Sequence, residues 1–170
     1  MIRKIAAAIA AGAICSTISS PAHCIDGVAV EYGRGDDRTN LLRVSIIEKW
    51  RSTEVAAPRD WHLAGYWDFS AAAWDNAEES TADVGFAPVF RMERGAWYVE
   101  GAFGFHLVQT HISADRTFST AFQFAEHVGA GLRKGKYLYG LQAQHLSNGG
   151  IRRPNPGINF LIVKLQYELD

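Results

Sequence analysis

The sequence holds very little cysteine: two residues in 170, Cys15 and Cys24. Cys15 falls in a segment read below as a leader. The exported chain would keep Cys24 alone, which excludes an intramolecular disulfide and a cysteine metal cluster. The residues ahead of the two cysteines, Gly-Ala-Ile and Pro-Ala-His, do not make a convincing lipoprotein processing site. A long apolar run is also missing. The stretch from Ile5 to Cys15 is shorter than the roughly 20 residues of a membrane-spanning helix, and nothing after it comes closer. Neither sign of charge is in excess, with 17 basic and 18 acidic residues. That balance gives no reason to propose a nucleic-acid partner.

What stands at the N-terminus is a three-part export signal. Arg3 and Lys4 precede the apolar stretch, a polar patch follows from Ser16 to Ser20, and Ser20-Pro21-Ala22 has the small-x-small pattern of a site cut after Ala22. The expected organisation is a signal peptide over 1–22 and one domain over 23–170. Of the 17 basic residues Arg3 and Lys4 leave with the leader, and the remaining 15 face 18 acidic ones, a net −3.

The whole sequence is rich in aromatics, at 12%, and in glycine, at 16 residues, with a mean hydropathy of −0.09. Past the leader its apolar residues alternate, the period of a strand. Val28, Val30 and Tyr32 oppose Ala29 and Glu31. Leu42, Val44 and Ile46 oppose Arg43 and Ser45. The pattern recurs in eight segments of about 8–12 residues, the length of a tilted membrane strand. Turn signals separate them at Gly35-Asp36-Asp37, Ala57-Pro58-Arg59-Asp60, Glu93-Arg94-Gly95 and Lys134-Gly135-Lys136. Ala71 to Ala77 is read as loop. One set of faces carries Trp, Phe, Tyr, Leu and Val on nearly every strand. The other mixes Gly and Ala with Arg, Lys, Glu, Gln and His. The interior of an eight-stranded barrel has room only for side chains to fill it. The bulky faces would overfill it, so they belong outside, against lipid. The expected fold is all-β, an eight-stranded antiparallel transmembrane β-barrel. A soluble lipocalin-like barrel with a wider cup is the alternative. The ending Tyr167-Glu168-Leu169-Asp170 departs from the terminal aromatic usual in such barrels, and Tyr167 is expected to take part of that role.

On the seventh strand the outward set runs Tyr137, Tyr139, Leu141, Ala143, His145, Ser147. An apolar stripe thus ends in a histidine and a serine, two positions and about 7 Å apart along the strand. A modest rotation of the two side chains would bring the hydroxyl within reach of the imidazole, as a base-activated nucleophile requires. The plain alternative is an interfacial polar cap before a Gly-Gly turn. Of the other histidines, His62, His106 and His127 fall on inward faces, while His23 and His111 belong to the terminus and a loop. They do not form a metal cluster.

The stretch His145-Leu146-Ser147-Asn148-Gly149-Gly150-Ile151, followed by Pro154-Asn155-Pro156-Gly157-Ile158-Asn159, resembles the signature of the PagL-type lipid A 3-O-deacylases. A looser likeness, including Phe122 to Leu132, extends over most of the domain. The resemblance implies an outer-membrane barrel that hydrolyses the acyl ester at the 3-position of lipid A, without metal or cofactor. It assigns Ser147 as nucleophile and His145 as general base, with Asn155 and the backbone near Gly150 holding the oxyanion. Gly149 reads equally as a plain turn residue, and Asn148 as scaffolding of the motif. Where the family pattern has a glutamate, this chain has Asn159, which can orient a histidine but cannot supply charge. Glu126, expected across from Ala143 and diagonal to His145, is the substitute acid to consider. Arg152 and Arg153 would either pair with lipid phosphates or form a solvated basic loop. The implied partners are lipid A of lipopolysaccharide and outer-membrane lipid, and the resemblance leaves room for a homodimer. A non-catalytic barrel, structural or adhesive, and a soluble ligand-binding barrel are the competing functions.

Overall fold

The computed structural model describes residues 25–50, 55–57, 60–76, 80–109, 111–113 and 116–169. The expected leader, Cys24, Pro58 and Arg59 lie outside the described residues. Among the described residues the strands are β1 (Gly27–Gly35), β2 (Asn40–Lys49), β3 (Val55–Ala57), β4 (Trp61–Asp75), β5 (Ser80–Arg94), β6 (Trp97–Val108), β7 (His111–Ser113), β8 (Arg116–Thr117), β9 (Phe122–Lys134), β10 (Tyr137–Ser147) and β11 (Ile158–Glu168). A 3-10 turn, Asp36–Arg38, joins β1 to β2. Each large strand pairs antiparallel with its neighbour. β1 pairs with β11, which closes an eight-stranded ring of β1, β2, β4, β5, β6, β9, β10 and β11. β3 extends the wall beside the start of β4, and β7 and β8 form a small separate hairpin in the connection from β6 to β9.

The parity read from the sequence holds around the ring. Val30, Leu141 and Val163 are 52%, 52% and 61% exposed, whereas Arg91 and Lys164 are 1% exposed. Apolar side chains face out and charges face in, the inversion that marks a barrel in lipid. The inward charges are paired: Glu100 accepts from Arg91 Nε at 2.8 Å, Gln142 Nε2 at 2.6 Å and Lys164 Nζ at 3.2 Å. Arg43 donates to Glu31 at 3.0 Å and to Gln144 at 2.7 Å.

Two expectations are corrected. Ala71 to Asp75 is strand, the end of β4, with Ala71 opposite Val44 on one side and Val84 on the other. Alanine has little strand preference of its own, but two flanking strands supply every backbone partner there and override it. The interior is also not uniformly small and polar. Its half near the long connections holds an apolar cluster of Leu41, Trp74, Phe118, Leu146, Ile158, Phe160 and Ile162.

The barrel ends differ. At one end lie the first and last described residues and two-residue hairpins, Gly95-Ala96 and Gly135-Lys136, each with glycine first at φ 58° and 61°. Tyr137 and Tyr167 pack there at 5.1 Å between ring centres, at the height of an interfacial girdle. The connection 49–61, which carries β3, is the long one at this end; at the other end 35–40, 75–80, 108–122 and 147–158 all exceed the two-residue hairpins. Short turns face the periplasm and long loops the exterior in barrels of this kind.

Candidate active site

β10 ends at the long-loop rim. Its last outward residues are His145 and Ser147, and the inward residue between them, Leu146, is fully buried in the apolar cluster. Ile158 and Phe160 do the same on either side of Asn159 in β11. Alternation thus anchors the strand ends from inside and leaves His145, Ser147 and Asn159 on the outer wall. His145 is in direct register with Asn159, and its Nδ1 lies 2.8 Å from Asn159 Oδ1.

The other neighbour of His145 in register is Glu126. This corrects the expected diagonal placement. The hairpin needs two residues, Gly135 and Lys136, between Lys134 and Tyr137, and that moves β9 along by two positions without changing parity. Glu126, His145 and Asn159 therefore form one row across three strands. They border an open groove of about 580 Å³ whose floor includes the small residues Gly101, Ala102 and Ala143. Ser147 lies opposite Phe124, at the edge of an outward aromatic patch in which Phe124 stacks on Phe103 at 5.6 Å and meets Phe122 at 5.1 Å.

The loop after Ser147 is organised by Asn148, which is fully buried. Its Oδ1 accepts from Gly150 N–H at 2.9 Å, and its Nδ2 donates to Ser119 Oγ at 2.9 Å and to the Arg152 carbonyl at 2.7 Å. Its own N–H donates to Asn155 Oδ1 at 3.0 Å. Asn155 is thereby tied to the start of the loop through its side-chain oxygen. The Gly150 N–H is turned to Asn148, and the Gly149 N–H donates to Ser147 Oγ at 3.4 Å. Gly149 and Gly150 have φ of 63° and 82°, a consecutive left-handed pair that side-chain-bearing residues rarely adopt. Arg152 and Arg153 are exposed on this loop.

One residue in contact with the row was read only as part of a turn. Asp36 Oδ2 accepts from the Asn159 backbone N–H at 2.9 Å and from Asn159 Nδ2 at 3.0 Å. Gly35 makes this approach feasible: a Cβ there would lie 2.6 Å from the Phe160 ring and 2.8 Å from the Asn159 carbonyl oxygen. The signal for it is topological, since pairing of first and last strands carries the β1–β2 turn to the start of β11.

The family model for lipid A 3-O-deacylase (PagL) matches residues 41–168. The lipid A deacylase PagL of Bordetella bronchiseptica is 36% identical over 155 residues, covering 83% of this chain and 81% of that protein. The lipid A deacylase PagL of Pseudomonas aeruginosa is 31% identical over 104 residues, covering 56% and 60%. Among solved structures, the crystal structure of the outer membrane enzyme PagL superposes with a TM-score of 0.75 at 23% identity, covering 84% of this chain and 99% of that one. A structure from the de novo design of transmembrane β-barrels superposes at 0.54 with 12% identity, covering 84% and 93%. These two likenesses bear on fold.

Proposed function

This chain belongs to the lipid A 3-O-deacylase (PagL) family of ester hydrolases, and on that premise we propose that it works through Ser147 and His145 on its outer wall. The observation that carries this reading is the 2.8 Å contact of His145 Nδ1 with Asn159 Oδ1. An amide oxygen only accepts, so the contact puts the imidazole proton on Nδ1 and leaves the Nε2 lone pair for the serine hydroxyl. Ser147 Oγ attacks the ester carbonyl carbon as its proton passes to Nε2. The tetrahedral intermediate collapses, the sugar 3-oxygen leaves with that proton, and an acyl-serine remains. Water, deprotonated by the same imidazole, releases the fatty acid and restores the serine. Glu126 stands across the other edge of His145, while Nδ1 is already engaged by Asn159, and we read Asn159 as the orienting partner.

The setting suits a membrane lipid. Residues 1–22 serve as the export leader in this reading, and the outer membrane is the site of action. The dyad lies on the lipid-facing side at the long-loop rim, the level of the outer leaflet. The groove beside His145 would give an acyl chain a bed, and Arg152 and Arg153, exposed on the loop beyond it, would pair with lipid phosphates. In this reading the oxyanion takes its donors from the Asn155 NH2 and the Gly149 N–H beside Ser147, while Asn148 holds the Gly150 N–H and fixes the turn.

The test is mass analysis of lipid A from a host that carries a 3-linked acyl chain. Wild-type chain is expected to remove that chain, and Ser147→Ala to leave it. Unchanged lipid A beside folded wild-type barrel in the membrane would end the proposal. Asn155→Asp probes the oxyanion donor. It keeps an acceptor for Asn148 N–H but replaces the NH2 with an anion, and turnover by purified protein is expected to fall by about 10²–10³. Unaltered turnover would assign Asn155 to the loop scaffold alone.

A further inference from the structure

An asparagine beside a catalytic histidine has two orientations with opposite consequences. With its oxygen toward Nδ1 it holds the productive tautomer. With its NH2 toward Nδ1 it forces the proton onto Nε2 and removes the base; that wrong tautomer lowers turnover by about 10⁴ in the serine-protease triad. The two orientations differ by exchange of an oxygen and a nitrogen of nearly equal size, so packing alone does not separate them. Charge does. Asp36 Oδ2 accepts from both the backbone N–H and the side-chain Nδ2 of Asn159. A carboxylate cannot donate, so turning the amide over would set two acceptors against each other at 3.0 Å. The amide is thereby locked with Oδ1 on His145 Nδ1.

We propose that Asp36 is a positioning residue that acts on His145 through Asn159, supplying at one remove the negative charge that the third member of the constellation lacks. This rests on the Ser147–His145 reading above. Asp36 sits on the 3-10 turn after β1, its backbone carbonyl accepting from Thr39 N–H at 3.0 Å, and the turn is held by Gly35 N–H donating to the Thr39 carbonyl at 2.7 Å. The carboxylate is thus fixed by a part of the chain that is far in sequence from the dyad. It also works through the charge-assisted bond it accepts, which polarises the amide and makes Oδ1 a stronger acceptor for the imidazolium that forms during attack.

The experiment is a charge swap in purified, refolded full-length protein, assayed on lipid A in micelles, with heat-dependent gel migration as the check of folding. Asp36→Asn is expected to lower kcat at least 10-fold with little change in KM. Asn159→Asp alone, which sets two carboxylates together, is also expected to lower it. The double variant Asp36→Asn/Asn159→Asp moves the charge one residue nearer the imidazole, with the new amide at 36 turned so that its oxygen accepts from the backbone N–H of residue 159 and its NH2 donates to the new carboxylate. Its expected kcat is at least 10-fold above either single variant. A purely structural contact would not yield that recovery. Unchanged kcat in Asp36→Asn, or a double variant no better than the singles, would overturn the proposal. Ser147→Ala in the same assay separates the two levels. If it is inactive while the Asp36 variants are unaffected, only the role of Asp36 fails; if it retains wild-type activity, the dyad itself fails. Nitrogen-15 chemical shifts of His145 in the wild-type protein give a second readout needing no variant. Protonated Nδ1 is expected, and a proton on Nε2 overturns the assignment.

Discussion

Purified Ser147→Ala and His145→Ala are each expected to lose about 10⁴-fold or more in kcat, and the double variant to lose no more than the worse single one. Groups that act as a unit are not additive: without the nucleophile the base has nothing to activate, and without the base the hydroxyl is a poor nucleophile. The residual rate would come from binding and the oxyanion donors, which survive both substitutions. Neither change should disturb the fold. The buried residue between them, Leu146, and the flanking Ile158 and Phe160 hold the strand ends from inside, and both variants remove only outward atoms. The measurement is single-turnover release of fatty acid from lipid A in micelles. Losses that multiply in the double variant would mean that the two residues act separately, and the shared mechanism would be wrong.

The largest effect on stability is expected inside the barrel, at Glu100. Its side chain is buried and receives Arg91, Lys164 and Gln142 together. Glu100→Ala would leave two buried cations without their shared anion, and breaking such a pair from one side costs about 3–5 kcal/mol. Arg133 offers the contrast. It bonds Glu93 at 2.7 Å and also Glu168, but these groups are about a quarter exposed at the rim that carries the two-residue hairpins. There the loss on Arg133→Ala should stay near 1 kcal/mol. Urea unfolding in lipid vesicles, followed by tryptophan fluorescence, compares the two directly. Equal unfolding midpoints would show that the interior network contributes no more than the rim.

The strands and their facing were legible in the sequence because both depend on a two-residue period that survives any register. Val30 and Glu31 announce opposite faces without reference to a partner. Register was less legible. Glu126 was expected beside Ala143 and lies beside His145, because the hairpin residues, not the strand pattern, set the slide of β9 against β10. Ala71 to Asp75 gave no propensity signal, and their pairing comes from β2 and β5. His145, Ser147 and Asn159 were found through a local motif and parity. Asp36 was not, since its contact with Asn159 spans 123 residues and exists only once the ring closes. The apolar cluster under the site was hidden for a related reason. Trp74 stood in a segment read as loop, and Leu146 and Phe160 occupy inward positions that were expected to be small or polar.

The outward facing of His145 and Ser147 also changes what substrate concentration means here. A pocket in a soluble enzyme samples molecules per litre. A dyad on a barrel's outer wall samples lipids per unit of membrane plane, so inert lipid or detergent competes with substrate by diluting the surface. Saturation would then follow the mole fraction of lipid A around the barrel, and the same enzyme would slow in a lipid-A-poor bilayer with no change in any of its own bonds.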